Sequence, residues 1–415
     1  MRFYFPDSQD LVSPTYDFGR DEYSPLRVRQ RDDRYAHEVL RTPPYHGMLV
    51  SKSIVDGSVR GAGKYTSAQR ARLYRYGVRR FFRLPEGIET LGDNGAFNYA
   101  DEVVPPVTVQ ETLDFYLGCG FDAGVSVDHI IFGYDAGATF ETVDSAWAKR
   151  RAITLRLAEE FISKVRDQGL NLIPVGAAQG WSPESYADSV AQLQDMGYRR
   201  IALGGMVPLK TKDILASLNA IDAVRAPDTE LHLLGITRFD SMELFADLGV
   251  TSFDSTSAFR QAFMDDRKNF HTVDDAYVAI RVPQVDGNPT LRRAILSGRV
   301  SQKDAVAQER ACLAAVRACD GSSATTDAAL HELATYEAIC QSKKSYLAEY
   351  ARTLAAAPWA NCSCSICQEL GVEVALFRGT ERNKRRGFHN LSVLAQKMST
   401  LHPRKPVTLS RRSHG

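Results

Sequence analysis

Short runs of apolar and β-branched residues alternate with longer amphipathic stretches over residues 46–257. The short runs are typical of strands in a buried parallel sheet, and the amphipathic stretches, such as residues 144–168 and 184–196, have the spacing of helices that cover one. Strand–helix alternation of this length predicts an α/β fold. The predicted strands are residues 48–55, 80–84, 123–132, 172–177, 200–205, 231–236 and 250–255.

Polar residues and glycines stand at or just after the ends of these apolar runs. A (β/α)8 TIM-type barrel gathers such residues from many strands at one face, whereas an open doubly wound sheet places its site at one switch point beside a glycine-rich phosphate turn. No such turn follows any run, so the pattern favours the barrel. The residues at strand ends are Asp128, Gln179, Gly204, Gly205, Gly235 and Asp254.

The rest of the chain lacks this alternation. The first 45 residues are polar and predict an irregular arm that its aromatic residues attach to the barrel. After about residue 285 the pattern becomes helical, over residues 289–297, 301–319 and 326–355. The predicted domains are an N-terminal arm (1–45), the main part of a catalytic (β/α)8 barrel (46–285), a helical insertion (286–357) and a C-terminal zinc-binding subdomain with a basic tail (358–415).

The composition is that of a folded globular chain. Of 415 residues, 44% are hydrophobic and 24% are charged, which excludes fibrous folds and wholesale disorder. No apolar run reaches the roughly 18 residues that a membrane-spanning helix needs, and the N-terminus lacks the apolar segment of a signal peptide. An odd number of cysteines, seven, suits a reducing compartment. We therefore expect a cytoplasmic protein with no membrane partner.

The net charge of +1 hides two basic stretches. Residues 60–84 hold eight Arg or Lys and no acid, and residues 376–415 hold ten against one Glu. Localised positive charge of this kind is typical of proteins that bind a phosphate backbone, and solvated helix faces are the alternative. The second stretch predicts phosphate contacts from Arg382, Lys384, Arg385 and Arg386.

Three cysteines near the C-terminus have the spacing of metal ligands. Cys362, Cys364 and Cys367 can surround one Zn²⁺, and His389 follows at a distance that completes a tetrahedral set. Cys340 is the alternative fourth ligand, because it lies about as far upstream. Four protein ligands leave no open position for water, so we expect a structural zinc ion.

Three acidic residues belong to predicted turns at the mouth of the barrel: Asp93, Asp128 and Asp254. With Gln179–Gly180, Gly204–Gly205 and the Cys/His cluster, they make the chain resemble the tRNA-guanine transglycosylases. Those enzymes are zinc-containing (β/α)8 barrels that exchange a purine base in a nucleic acid. The resemblance covers roughly residues 45–257 and 358–398.

The resemblance implies a role for each matching residue. Asp254 would be the nucleophile and Asp93 the general acid and base, while Phe97 would stack on the bound base. Cys362, Cys364, Cys367 and His389 match the zinc motif of the family. The residues implied to contact the base are Asp128, Gln179, Gly204 and Gly205.

Departures from the tRNA enzymes indicate a particular branch. Asn94 stands where the family usually has serine, Ala96 replaces a glycine, and about a hundred mostly helical residues separate Asp254 from Cys362. The opening residues, the segment 92–97 and the segment 377–390 instead resemble the DpdA-type transglycosylases, which insert 7-deazaguanines into DNA.

The branch resemblance implies a function. We expect guanine in DNA to be replaced by a 7-deazaguanine base of the preQ0 type, through a covalent Asp-glycosyl intermediate. The implied partners are DNA, the free base and other proteins of a DNA-modification cluster. The alternatives are a transglycosylase that acts on tRNA or other RNA, and a non-catalytic nucleic-acid-binding subunit with the same fold.

Overall fold

Eight parallel strands form a closed barrel, in which each strand pairs with the next and the last pairs with the first. The computed structural model describes residues 1–401 except 8, 320 and 343. The predicted basic tail beyond residue 401 lies outside the described residues. The barrel strands are β1 (Arg2–Pro6), β2 (Gly47–Ser51), β3 (Glu89–Asp93), β4 (Ala123–Val125), β5 (Ile173–Ala178), β6 (Arg200–Leu203), β7 (Glu230–Leu233) and β8 (Val250–Asp254).

Helices follow most of the barrel strands, which confirms the predicted α/β barrel. The helices up to the end of the barrel are α1 (Ala36–Val39), α2 (Lys52–Asp56), α3 (Ser67–Phe81), α4 (Val109–Cys119), α5 (Ser145–Asp167), α6 (Pro183–Met196), α7 (Thr211–Asp222) and α8 (Met242–Asp247). Short 3₁₀ helices span Ala96–Tyr99 and Phe239–Ser241.

The remaining helices are α9 (Ser257–Met264), α10 (Pro289–Leu296), α11 (Gln302–Arg317), α12 (Ser323–Ile339), α13 (Leu347–Ala356), α14 (Ser365–Leu370) and α15 (Gly379–Ser399), with a 3₁₀ helix at Gly371–Ala375. Four two-residue strands form two small sheets: β9 (Phe270–His271) with β10 (Ala276–Tyr277), and β11 (Ile280–Arg281) with β12 (Leu376–Phe377). The helix predicted over residues 326–355 is therefore two helices, α12 and α13.

Side chains from successive strands fill the barrel. Because side chains alternate between the two faces of a strand, every second residue of β1 to β6 points inward. A core made from both large and small side chains leaves little space inside the barrel, which is therefore a packed interior and not a channel. The core cluster is Tyr4, Leu49, Leu91, Ala123, Val125, Val175, Ala177 and Ala202.

Two barrel strands differ from the predicted ones. Residues 2–6, predicted to belong to an irregular arm, form β1: Tyr4 enters the barrel core, and Phe3 stacks on Phe253 at 5.2 Å between ring centroids. Residues 80–84, predicted to be a strand, contain the end of α3 and the turn after it, and the strand is β3. Phe81 and Phe82 are buried as part of an amphipathic helix, so their apolar character does not distinguish the two structures.

The chain divides into two compact units. Of the described residues, the first contains 1–7, 45–255 and 398–401, and so holds the barrel. The second contains residues 9–44 and 256–397, and holds helices α9 to α15. This division differs from the predicted domains, because most of the predicted arm belongs to the second unit. Among the described residues, no helix has the length and apolar character needed to cross a membrane.

Candidate active site and metal centre

The carboxyl ends of the barrel strands bring the predicted acidic residues to one edge of the barrel. Asp93 is the last residue of β3, Asp254 is the last residue of β8, and Asp128 follows β4 by three positions. The three carboxyl groups interact electrostatically, since the charges of Asp128 and Asp254 both act on Asp93. In a parallel barrel, this edge is where active sites are found.

Asp93 has the environment of a group that exchanges protons near neutral pH. Burial, together with the negative charges of Asp128 and Asp254, raises its pKa to about 7. Hydrogen bonds from the Gly95 amide and the Ser51 hydroxyl act in the opposite direction and stabilise the carboxylate. A carboxyl group whose pKa lies near the working pH can both give and take a proton.

Gly95 allows the chain to turn back towards Asp93. Its φ of +87° lies in the left-handed region, and a Cβ atom there would come within 2.0 Å of the Ser53 hydroxyl oxygen. Both restrictions require glycine. The turn directs the Gly95 amide to the Asp93 carboxylate.

Two amide side chains hold the Asp128 carboxylate. Gln179 Nε2 donates to Oδ2 at 2.6 Å, and Asn94 Nδ2 donates to Oδ1 at 3.2 Å. Burial raises the pKa of Asp128 to about 6, although these two hydrogen bonds oppose the shift. Each oxygen keeps a free lone pair, so the carboxylate can still accept hydrogen bonds from a ligand.

Asn94 is a residue whose role the sequence did not indicate. Its Nδ2 also donates to the Ser126 carbonyl at 3.0 Å, and its Oδ1 accepts a hydrogen bond from Tyr99. A serine at this position is too short to bridge these groups. The substitution therefore changes how Asp128 is supported.

The two glycines after β6 lie close to Gln179. A Cβ on Gly204 would be 2.2 Å from Gln179 Nε2, and one on Gly205, where φ is +74°, would be 2.4 Å from the Ile131 carbonyl oxygen. Only glycine fits at either position. Gln179 Oε1 accepts from the Ile131 amide at 3.1 Å, so both ends of its amide group are fixed.

Asp254 is held through one of its two oxygens. The Gly235 amide donates to Oδ1 at 2.9 Å, and His232 Nε2 lies 3.2 Å from the same atom. Among the described residues, nothing hydrogen-bonds to Oδ2. His232 lies on β7, and its place inside an apolar run does not mark it as a functional residue.

Two exposed aromatic rings follow β3 and β4. Phe97 is 65% exposed and Phe132 is 44% exposed, and their centroids are 5.7 Å apart in an edge-to-face arrangement. Phe97 keeps most of its surface exposed in spite of this contact. Two exposed rings in contact form a small apolar patch, which can contribute to a binding surface.

The predicted zinc ligands form one cluster in the second unit. The ligand atoms of Cys362, Cys364, Cys367 and His389 all lie within 4.8 Å of one another, and His389 Nδ1 is 3.5, 3.5 and 3.3 Å from the three sulfurs. Tetrahedral zinc with its usual bond lengths would place nitrogen and sulfur about 3.6 Å apart. This group can therefore hold a metal ion.

The orientation of His389 fits metal binding. Its Nε2 donates to the His271 carbonyl at 2.8 Å, which leaves the lone pair of Nδ1 directed at the sulfurs. A ligand histidine commonly has such a partner on its other nitrogen. Cys340, the alternative fourth ligand, is not a member of the cluster.

Comparison with known proteins agrees with this geometry. A DNA-guanine transglycosylase from Salmonella montevideo is 46% identical over 404 residues, which cover 96% of each chain. The chain belongs to the DNA-guanine transglycosylase family. It is therefore an enzyme of the glycosyltransferase type. No protein-family model matches the chain.

The basic residues predicted to contact phosphates do not form an exposed surface in this transglycosylase. Arg382 is 1% exposed, and it donates to Glu373 and the Phe18 carbonyl at 2.6 and 2.7 Å and also pairs with Asp21. Arg385 is buried too, where it pairs with Glu381 and donates to the Ser13 carbonyl.

Arg386 is fully buried and donates to the carbonyls of Ala262 and Leu376 at 2.6 and 2.9 Å, and burial lowers its pKa to about 9. Lys384 Nζ lies 3.3 Å from the Leu11 carbonyl. The prediction that Arg382, Lys384, Arg385 and Arg386 hold phosphates is therefore corrected for the three arginines. They are buried structural cations whose N–H groups are already used within the second unit, whereas Lys384 is only partly buried and pairs with Asp10.

The other basic stretch of the transglycosylase contains free cations. Arg72, Arg75 and Arg80 are exposed on α3, and among the described residues none of them has an acidic partner. The guanidinium groups of Arg75 and Arg80 lie 5.6 and 5.0 Å from the ring centroid of Tyr76. Basic and aromatic groups on one helix form a surface suited to nucleic acid. We call these four residues the α3 basic patch.

Proposed function

We propose that this enzyme replaces guanine in DNA with a 7-deazaguanine base of the preQ0 type. The observation that carries the proposal is the grouping of Asp93, Asp128 and Asp254, in which one carboxyl group has a pKa near 7. The name of the Salmonella relative, which specifies DNA and guanine, supports both parts of the substrate.

Asp254 is the proposed nucleophile. Its carboxylate attacks C1′ of the target nucleotide, and the bond between C1′ and the guanine nitrogen breaks with its electron pair going to guanine. The result is a covalent ester between Asp254 and the deoxyribose. The strand stays intact, because only the bond to the base is broken.

Asp93 moves the protons of the exchange. It protonates the departing guanine and then removes a proton from the incoming 7-deazaguanine, which attacks C1′ and displaces Asp254. Two inversions give net retention at C1′. A pKa of about 7 lets Asp93 serve in both directions near neutral pH.

Asp128 and Gln179 are the proposed readers of the base. A purine of the guanine type presents N–H groups on its Watson–Crick edge, and the carboxylate of Asp128 can accept hydrogen bonds from them. Gly204 and Gly205 leave room for a planar base beside Gln179, since no side chain fits there. Both the departing and incoming bases present this edge.

Phe97 is the proposed stacking partner. The target nucleotide must leave the duplex to reach the three carboxyl groups, and an aromatic face compensates for the stacking that it loses. The exposed face of Phe97 is available for this contact.

The metal is proposed to be zinc, held by Cys362, Cys364, Cys367 and His389. Bound zinc would supply folding energy to the second unit and no chemistry, because four protein ligands complete its tetrahedral coordination.

A base-exchange assay tests the function. We expect radiolabelled guanine in DNA to be released when a 7-deazaguanine is supplied, and a denaturing gel to show a protein–DNA adduct that Asp254→Asn does not form. Exposed Asp195 provides the control Asp195→Asn, which keeps full activity. Exchange in tRNA but not in DNA would contradict the proposed substrate. Normal exchange by Asp254→Asn would contradict the mechanism.

A further inference from the structure

The oxygen atoms of Asp254 have unequal surroundings. Oδ1 accepts from the Gly235 amide and faces His232 Nε2, while Oδ2 has no hydrogen-bond partner within the described part of the chain. Asp254 is only 7% exposed, so its orientation depends on these two contacts. A carboxylate held through one oxygen presents the other in a defined direction.

The protonation of His232 follows from its two neighbours. A carboxylate can only accept, so Nε2 carries a proton towards Asp254. The other ring nitrogen, Nδ1, lies 2.9 Å from the Ser252 hydroxyl, which donates to it when the ring is neutral. The Asp254 carboxylate thus selects the tautomer with its N–H at Nε2, and Ser252 supports that tautomer by donating to Nδ1.

The location of His232 makes it a fixed support. It is 5% exposed, and the Tyr4 ring packs edge-on against it with 5.4 Å between centroids. His232 and Ser252 are paired residues on neighbouring strands, β7 and β8. Both side chains of this support thus lie on barrel strands, where side-chain positions are more restricted than in loops.

We propose that His232, oriented by Ser252, is a positioning residue that anchors Oδ1 of Asp254 and leaves Oδ2 as the attacking oxygen. The N–H of His232 stabilises the anionic form of Asp254 before attack, and Gly235 holds the same oxygen from the other side. Bond formation at C1′ then uses the electron pair of Oδ2. This inference rests on the proposed role of Asp254 as nucleophile.

Three variants separate positioning from packing. His232→Ala removes the donor, Ser252→Ala removes the hydroxyl that holds Nδ1, and His232→Gln keeps an N–H donor at nearly the position of Nε2. We expect His232→Ala to slow covalent adduct formation at saturating DNA by about 10- to 100-fold, because a charged group loses one hydrogen bond. His232→Gln should recover most of this rate, and Ser252→Ala should cause a smaller loss.

The readout distinguishes this inference from the proposed function. The dissociation constant for DNA should be the same for all three variants, since none of these side chains is proposed to touch the substrate, and thermal unfolding identifies any variant that is not folded. If Asp254→Asn forms no adduct but His232→Ala and His232→Gln both react at the parental rate, the positioning role is overturned. If His232→Ala does not fold, the other two variants decide. The positioning role is overturned if Ser252→Ala is folded and forms the adduct at the parental rate while His232→Gln forms it slowly. If Asp254→Asn itself reacts normally, the proposed nucleophile fails first.

Discussion

Replacing Asp93 with asparagine should stabilise the folded protein at alkaline pH while abolishing efficient base exchange. Burial and the neighbouring charges of Asp128 and Asp254 raise the pKa of Asp93 from 3.8 to about 7. The folded state therefore retains a proton that the unfolded chain releases. Stability from this group is present below the unfolded pKa and is lost as the pH rises through the folded pKa.

The pKa difference sets the size of the effect. The rise in the pKa of Asp93 from 3.8 to about 7 lowers the free energy of unfolding by at most roughly 4 kcal/mol, and this limit is reached at about pH 8. At about pH 5 the destabilisation is less than half as large. The difference in free energy of unfolding between the parent and Asp93→Asn therefore grows by about 2.5 kcal/mol from pH 5 to pH 8. Asp93 is half-buried, and contact with water makes the realised value smaller.

Thermal unfolding of the parent and Asp93→Asn at both pH values measures this difference. Asp195→Asn is the matched control, since it removes an exposed carboxyl group and should show no pH-dependent difference from the parent. Slow single-turnover exchange by Asp93→Asn would show that the carboxyl group that destabilises the fold at high pH also takes part in base exchange. A melting-temperature difference that stays constant between pH values, or grows towards acid pH, would refute the reasoning.

Three further predictions concern the metal centre, the stacking ring and the α3 basic patch. Cys364→Ala should lose about one metal ion per chain and fold poorly, as elemental analysis and circular dichroism will detect; metal-free protein with parental folding would contradict it. Phe97→Ala should weaken capture of the flipped base by about 1–3 kcal/mol, measured as a higher KM for DNA, with Phe97→Tyr as the control that keeps the ring. Replacing Arg72, Arg75 and Arg80 with alanine should lower the slope of log K against log salt by about 0.9 per lost phosphate contact on duplex DNA, while an unchanged slope would leave the patch as ordinary surface.

The barrel could be predicted from the sequence where strands are apolar and bounded by polar residues. Residues 172–177 and 250–255 meet both conditions, and they contain most of β5 and β8. β3 does not meet them, and β1, although it contains three aromatic residues, stands apart from the strand–helix alternation that begins at residue 46. β3, with the sequence Glu-Thr-Leu-Gly-Asp, has few apolar residues because its glycine makes room for the Tyr116 ring, which would lie 2.4 Å from an added Cβ.

The metal cluster was predictable because its ligands are close in sequence and have few other uses. The basic cluster was misinterpreted for the opposite reason. Arg382 pairs with Asp21, which lies some 360 residues earlier in the chain, so the sequence around Arg382 contains no sign of this partner. A run of arginines on one helix has the same appearance whether its partner is an internal acid or a phosphate.

The support of Asp254 could not be inferred from local sequence either. His232 and Ser252 alternate with apolar residues in their strands, as polar residues of any half-buried strand do. The pairing of β7 with β8 places Ser252 beside His232, and His232 in turn contacts Asp254.

The closure of the barrel by β1 has a consequence for how the chain is made. Tyr4 pairs in register with Asp254, so β1 can pair with β8 only after about 250 residues have been synthesised. Contacts of such sequence separation form late, and until then the edge of β8 that faces β1 lacks a partner. Deletion of residues 2–6 therefore removes the strand that lies beside the Asp254 end of β8.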